Sequence, residues 1–360
     1  MSATTTTPTL NESARAGALS VRWLISARED LVWFIGSVVT SYALFALYVW
    51  GWVPLVPMVA AWAVLVDAPH VFATFSRTYF DREERRARGR LLWWSLLFFA
   101  VGPLAVVAGL GFLFFFLAAL WAYYHLVKQH YGFMVLYKKK NADLDRADNI
   151  LDRAFLLLAF TYPFVWFVAH DEEALRRVPA GLHGWLGTLE SALLALTVAA
   201  TAAWVGRQLQ RALSGLPLDV PKYLLLAAAI PMHWVVLLTP MPHKPIAIVA
   251  MLTVYHNLQY HRLVWFHNRK YARGGECRER HGAAEFISRR LLNYVVLGVL
   301  FGVWYQVPRQ YVNHGADANA FLTQLASGFL WGYALLHYYL DSKIWRVRRD
   351  PSVGKALRID

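Results

Sequence analysis

The chain has 360 residues, of which 58% are hydrophobic, 15% aromatic and only 16% charged. An ordinary soluble domain carries roughly 25% charged residues, so this composition excludes a typical soluble enzyme. The net charge of +13 does not indicate nucleic-acid binding, because in a membrane protein such an excess collects in cytoplasmic loops that face anionic lipid. The single cysteine, Cys277, excludes a disulfide framework and a cysteine-ligated zinc or iron–sulfur site.

Ten apolar segments follow one another along the chain, each close to the roughly 20 residues that cross a bilayer as a helix. They are predicted at 31–50, 53–73, 91–109, 111–131, 151–169, 186–205, 222–240, 245–265, 288–306 and 320–340. We therefore expect an all-α fold, a polytopic membrane bundle of about ten transmembrane helices. A polar N-terminal segment (1–30) precedes the bundle (31–341), and a basic tail (342–360) follows it.

The basic residues indicate how this bundle is oriented. If ten spans alternate, one side receives only Arg176, Arg177, Lys244 and Arg309, and the other side receives every remaining Lys and Arg. Because Lys and Arg concentrate in cytoplasmic loops, we expect both termini in the cytoplasm. The predicted location is the inner (plasma) membrane, with multiple passes.

Histidine and aspartate recur near the cytoplasmic ends of predicted spans 2, 4, 8 and 10. The patches read DAPH (67–70), HLVKQH (125–130), HNLQYH (256–261) and HYYLD (337–341). The candidate metal ligands are Asp67, His70, His125, His130, His256, His261, His337 and Asp341. A bundle that brings these four spans together would form a polar pocket at one depth.

The chemistry of these side chains favours a metal. Neutral imidazole is the commonest side-chain ligand, and carboxylate adds the negative charge that suits iron or manganese. Asp and His inside a membrane are costly and by default mark a functional site. The two H-x4-H pairs are spaced i, i+5, about 140° apart on a helix. We therefore expect one member of each pair to be a ligand and the other to orient a ligand or contact substrate.

A simpler interpretation applies to each histidine taken alone, since a single His at a helix end is most often an amphipathic side chain at headgroup level. Repetition on four spans at one depth argues against that interpretation for the set. His233 and His243, near the outer end of span 7, show no supporting pattern.

At these motifs the chain resembles multi-histidine integral-membrane oxygenases. The order Pro69-His70, His125, His256-x4-His261, then His337 with Asp341 is similar to the Brp/Blh-type β-carotene dioxygenases. This resemblance implies a non-haem iron held by histidines and O₂-dependent cleavage of a polyene. It covers four short patches, and the chain departs from the family in its ten spans and in the spacing of its paired histidines.

The H-x4-H pairs also resemble the histidine boxes of fatty-acid desaturases and hydroxylases, which imply a di-iron centre acting on an acyl chain. The H-x-x-H-H boxes of that group are absent from this sequence, because no two histidines are adjacent.

The leading hypothesis is a membrane oxidoreductase that uses non-haem iron and O₂ on a lipid, fatty acyl or isoprenoid substrate. An acidic electron-donor protein would fit the basic cytoplasmic face. Three alternatives stay open: a haem- or copper-binding protein for electron transfer or metal delivery, a His/Asp-based transporter, and a scaffold that binds no metal.

Overall fold

The computed structural model describes residues 19–272, 280–312, 320–347 and 350–359. Ten long helices dominate this part of the chain. In chain order they are α1 (Ala27–Val49), α2 (Leu55–Arg77), α3 (Arg82–Val107), α4 (Gly111–Lys140), α5 (Arg146–His170), α6 (Ala180–Leu213), α7 (Val220–Leu238), α8 (Lys244–Asn268), α9 (Leu291–Gln310) and α10 (Phe321–Ile344). The shorter elements are helices Glu172–Leu175 and Ala283–Ser288, the 3₁₀ turn Arg269–Ala272, the C-terminal helix α11 (Pro351–Leu357), and strands β1 (Leu19–Ser20) and β2 (Leu218–Asp219).

The all-helical prediction is confirmed for the described residues, and each predicted segment corresponds to one long helix. Eight of the helices, α1 to α7 and α9, are long and apolar enough to cross a membrane. Helices α8 and α10 have similar lengths, 25 and 24 residues, but their polar residues lower their hydropathy. These two helices carry His256 and His337. That all ten helices cross the membrane stays a prediction.

The first and last described elements, β1 and α11, and alternate loops meet at one end of the bundle, which we call the basic end. Strand β1 pairs in parallel with β2, which lies between α6 and α7. Ser20 donates to Oδ1 of Asn141, just after α4, at 2.6 Å. The amide of Arg82 donates to the carbonyl of His281, and Lys140 donates to the carbonyl of Arg358. Because successive helices run in opposite directions, every second loop must lie at this end. Which side of the membrane the basic end faces stays a prediction.

Helix α2 contains a π-helical segment, Ala63–Asp67, immediately before the first candidate histidine. Pro69 has no amide hydrogen and cannot donate to the carbonyl four residues earlier. The amide of Ala68 instead reaches back five residues to the carbonyl of Ala63. Such wide turns re-aim the side chains that follow, and they are frequent at functional sites.

Glycines set the close packing of helices around the site. On α9, Gly298 faces Pro69, and a Cβ placed on Gly302 would lie 2.1 Å from the carbonyl oxygen of Val64. On α10, a Cβ at Gly332 would lie 2.6 Å from the Phe99 ring of α3. Small residues four apart allow this approach of helix backbones. The positions of α2 and α10 therefore depend on residues that lack a side chain.

At the basic end, buried ion pairs join α4, α5, α6 and α7. Lys222 donates to Asp143 at 2.6 Å and to Asp152 at 3.1 Å, and Lys138 also pairs with Asp152. Arg211 contacts Asp143 as well. Because every charged group here faces an opposite charge, the network fixes one arrangement of the four helices.

Candidate metal centre

Four histidines from four helices converge in the middle of the bundle. Their ligand-capable ring nitrogens all lie within 4.8 Å of one another, and the four residues are His70 (α2), His125 (α4), His256 (α8) and His337 (α10). A metal–nitrogen bond of about 2.0–2.1 Å places two ligands up to about 4.2 Å apart. Four nitrogens at this bond length lie about 3.4 Å apart in a tetrahedron, so the farther pairs must approach by up to about 1.4 Å for all four to share one ion.

Two of these histidines, His125 and His256, lie farther from the ends of their helices than the sequence pattern indicated. Helix α4 runs to Lys140 rather than to residue 131, so His125 lies near the middle of its helix. His256 is likewise near the midpoint of α8. Polar residues beyond the apolar run continue both helices, because their backbone hydrogen bonds need no apolar side chains.

His337 is held by a hydrogen-bonded group on its far nitrogen. Thr74 Oγ1 lies 2.7 Å from His337 Nδ1 and donates to Asp341 Oδ1 at 3.0 Å. Tyr260 donates to the same Asp341 oxygen at 2.6 Å. Thr74 Oγ1 also lies 2.6 Å from the Tyr260 hydroxyl, whose own proton goes to Asp341. Whether Thr74 donates to that hydroxyl or to the carboxylate, it accepts a proton from His337 Nδ1–H, which leaves Nε2 with a free lone pair. This tautomer is the one that a metal requires.

His70 and His125 are oriented mainly by ring packing. The His70 ring lies edge-on to His337 and Tyr260, with centroids 4.4 and 4.5 Å apart. The His125 ring stacks on Tyr338, whose centroid lies 4.4 Å away. Nδ1 of His70 and Nε2 of His125 have no hydrogen-bond partner within the ranges that the structure describes.

Of each i, i+5 pair, the structure brings one histidine into the group and leaves the other outside it. In the α8 pair, His256 belongs to the group and His261 lies outside it. Its Nδ1 lies 2.9 Å from the hydroxyl of Tyr294, and its Nε2 lies 3.2 Å from the carbonyl of Val66, within the π segment of α2. With both nitrogens engaged, His261 supports the helix that carries His70 and is not placed as a ligand.

His130 points to a different neighbourhood from His125. Its ring packs against Phe160, His233 and Tyr255, with centroids 5.4, 5.6 and 5.3 Å away. The sequence grouped His130 with the metal ligands, but the five-residue spacing turns it to another side of α4.

The two carboxylates of the sequence-based set also lie outside the four-histidine group. Asp341 accepts hydrogen bonds from Thr74 and Tyr260, and so acts through His337. Asp67 accepts a long hydrogen bond of 3.4 Å from Asn257 Nδ2. Among the residues that the structure describes, the ligand atoms that converge are imidazole nitrogens alone.

Two residues beside the centre, Thr74 and Tyr260, were not among the site residues predicted from the sequence. Thr74 is fully buried, and Tyr260 is 1% exposed. Thr74 lies four residues after His70, which is a signal that could have been read as a shared helix face. His233 on α7 was noted without a role, since no motif accompanies it.

Comparison with known proteins adds nothing to this picture: no protein family, no curated protein and no solved structure matches the chain.

Proposed function

We propose that the protein is an integral-membrane, metal-dependent oxidoreductase that holds one non-haem iron on His70, His125, His256 and His337. Its substrates would be O₂ and a membrane-embedded lipid, fatty acyl chain or isoprenoid. The observation that carries the proposal is the convergence of four buried imidazoles, with His337 hydrogen-bonded into the correct tautomer, inside an apolar bundle.

The donor set limits the choice of metal. Four neutral imidazoles suit iron, copper, zinc or nickel, whereas magnesium and calcium prefer oxygen ligands. Asp341, through Thr74 and His337, places a negative charge close to the ion without using a coordination position. We choose iron because it activates O₂ towards C–H or C=C bonds when bound in such a site.

The protein's own contribution is orientation and exclusion of water. His70 is 2% exposed and His337 is fully buried, so the site is dry and the developing charge of a reaction is poorly screened. Asp341 accepts hydrogen bonds from Thr74 and Tyr260, and Thr74 in turn fixes the ring of His337.

The geometry argues against haem. A porphyrin needs a flat space between its two axial ligands, but the His70, His125, His256 and His337 rings contact one another with centroids 4.4 to 5.1 Å apart. A macrocycle does not fit between rings at this separation. Copper fits the same nitrogens, and metal analysis distinguishes it from iron.

Aromatic residues beside the centre support an apolar substrate. Tyr338 stacks on His125, and the rings of Phe301, Tyr305 and Tyr333 pack against one another on α9 and α10. Such surfaces bind polyenes and acyl chains through apolar contact. A surface groove of about 380 Å³, lined by Trp93, Trp94 and Phe329 among others, contains none of the four histidines.

The basic end supports the further proposal of an acidic electron-donor protein in the cytoplasm. Exposed arginines there include Arg22, Arg28, Arg86, Arg90 and Arg346. Complementary charge accelerates docking and makes it dependent on salt. In keeping with this, we assign the protein to the inner membrane with both termini in the cytoplasm, where a C-terminal fluorescent-protein fusion would fluoresce.

Metal content tests the proposal directly. Detergent-purified protein would be analysed for iron, copper and zinc and by absorbance spectroscopy, as wild type and as the His125→Ala/His256→Ala variant. We expect close to one iron per chain in the wild type, no Soret band, and loss of most of the metal in the variant. His170→Ala, at the exposed end of α5, is the matched control and should retain its metal.

Activity is tested with the loaded protein. Membrane lipid and isoprenoid extracts would be incubated with O₂, with an oxygen electrode and mass spectrometry as readouts. Iron that stays stoichiometric in the double variant would refute the assigned ligands. Loaded protein that consumes no O₂ with any extract, in the presence of a reductant, would refute the oxygenase function but leave the metal site standing.

A further inference from the structure

We propose that His130 and His233 form a second metal site, separate from the four-histidine centre, which takes a soft monovalent cation of the copper(I) type. This proposal does not depend on the function proposed above.

The two histidines approach each other from helices α4 and α7 deep in the bundle. Their rings are perpendicular, with centroids 5.6 Å apart, and their side chains are 1% and 0% exposed. None of the ring contacts of His130 involves the four histidines of the main centre. His130 thus shares no ring contact with the main centre, although it lies on α4 only five residues after His125.

Three of the four ring nitrogens in this pair lack a hydrogen-bond partner in the described part of the chain. They are Nδ1 and Nε2 of His130 and Nε2 of His233. A buried polar atom left without a hydrogen-bond partner destabilises the fold. Two adjacent side chains with three such atoms indicate that something other than the protein satisfies them.

The tautomer of His233 is fixed. Its Nδ1 lies 2.9 Å from the carbonyl oxygen of Ala229, which can only accept a hydrogen bond. Nδ1 therefore carries the proton, and Nε2 presents a lone pair. A carbonyl bonded to the far nitrogen is the arrangement that orients metal-binding histidines.

Geometry allows one ion between the rings. Two nitrogen–metal bonds of about 2 Å separate the donors by up to about 4 Å. No hydrogen bond joins the two rings directly, and their centroid separation of 5.6 Å leaves room between them for one ion with a nitrogen ligand from each ring.

The charge of the surroundings selects a monovalent ion. The neighbouring rings are those of Phe160, Tyr255 and Tyr123. Among the described residues, no carboxylate bonds to either histidine. A dication held by two neutral ligands in an apolar environment would lack compensating charge. Copper(I) carries one charge and accepts two imidazoles in a nearly linear arrangement.

A water molecule is the competing occupant. Buried waters typically make about three hydrogen bonds. A water between the two rings would contact one nitrogen of each, and the Tyr123 and Tyr255 hydroxyls already donate their protons to the carbonyls of Phe160 and Phe34, so neither hydroxyl has a proton left to donate to the water. The aromatic wall therefore favours a cation over a water.

The test is a copper(I) titration of the full chain in detergent, under anaerobic and reducing conditions, against a chromophoric copper(I) chelator. The background is the His125→Ala/His256→Ala variant, which disables the main centre. In that background we expect one copper(I) per chain, and His130→Phe or His233→Phe should weaken binding by at least tenfold. His170→Phe, at an exposed position, is the control and should leave binding unchanged.

Phenylalanine fills the space of imidazole, and thermal unfolding would show that each variant is folded. X-ray absorption of the bound copper should show two nitrogen ligands and no sulfur. If the folded background variant binds no copper(I), or if both phenylalanine substitutions leave its binding unchanged, the second site does not exist. If the His125→Ala/His256→Ala background binds no copper(I) and the phenylalanine substitutions raise its melting temperature, the two histidines hold a water, and the proposal is overturned.

Discussion

Nε2 of His70 and Nε2 of His337 lie 2.8 Å apart, although 267 positions separate the two residues in the chain. Helices α2 and α10 are brought together by packing, and each presents its histidine to the other. Because Thr74 fixes the proton of His337 on Nδ1, the facing lone pair must meet either a proton on His70 or a metal ion. Metal binding at this position therefore requires the loss of the proton on His70 Nε2.

Thr74 is expected to control metal affinity without touching the metal. In Thr74→Val the side chain keeps its shape, but His337 Nδ1 and Asp341 lose their shared hydroxyl. Loss of such a partner typically lowers metal affinity by about 10–100-fold. Metal competition with a chelator measures the change, and Thr74→Ser should restore most of the affinity.

The matched control is Thr253→Val on α8, where the exposed hydroxyl bonds only to the carbonyl of Val249. That substitution should leave metal affinity unchanged. Equal affinities for wild type and Thr74→Val would show that the hydroxyl does not orient His337.

Gly302 is expected to set the separation of α9 from α2. A Cβ there would lie 2.1 Å from the Val64 carbonyl oxygen, so Gly302→Ala must push the helices apart. We expect a loss of about 1–3 kcal/mol in stability, as for overpacked cores, together with partial loss of metal. Thermal unfolding in detergent is the measurement. Gly206→Ala on α6, with nothing within 4 Å of the new Cβ, should be neutral or slightly stabilising.

Asp350 anchors the C-terminal segment to the basic end. It accepts hydrogen bonds from Arg77 and Arg88, both at 2.9 Å, and Arg77 also lies over the Trp345 ring. Burial acts to raise the pKa of Asp350, but the hydrogen bond from Ser352 and the two guanidinium charges outweigh it and lower the pKa below its usual value. The carboxylate therefore stabilises the fold above its unfolded-state pKa of about 3.9, and this contribution is lost as pH falls through the lower folded-state pKa.

Asp350→Asn should accordingly destabilise the protein by about 1–3 kcal/mol at pH 7, because two cations lose their partner. The gap in melting temperature between wild type and variant should narrow below pH 4. Glu173→Gln removes an exposed ion pair with Arg177 and should change stability little at either pH. A difference in melting temperature between wild type and Asp350→Asn that does not change with pH would show that the charge of Asp350 does not contribute to stability.

Asp219 is expected to have the opposite pH dependence. Burial raises its pKa to about 6, while the helix amide of Lys222 and the Lys222 charge oppose the shift. The folded state therefore binds a proton more tightly than the unfolded state, and stability falls as pH rises from about 4 to above 6. Asp219→Asn should remove this penalty, which is at most about 3 kcal/mol, and still cap α7.

The measurement is the melting temperature of Asp219→Asn relative to wild type at pH 5 and pH 8. The variant should gain stability at pH 8 and much less at pH 5. Asp145→Asn serves as the comparison, because Asp145 caps α5 at an exposed position and its pKa is lowered. A variant less stable than wild type at pH 8 would contradict the prediction.

The sequence by itself determined the helical architecture and the order of all ten long helices along the chain, but not all of their ends, since α4 continues to Lys140. In lipid every backbone polar group must be satisfied within the segment, so long apolar runs leave few alternatives to a helix. The spacing of five residues also predicted that His125 and His130, like His256 and His261, face different directions. The sequence could not say which member of each pair faces the centre.

Only the tertiary structure decided that choice. The π segment before Pro69 turns His70, and the close approach at Gly302 sets the depth of α2 against α9. These contacts join residues far apart in the chain, so no local pattern encodes them. The same holds for Thr74 and His233, whose surroundings come from other helices: a helix period assigns a residue to a face, but packing determines what that face meets.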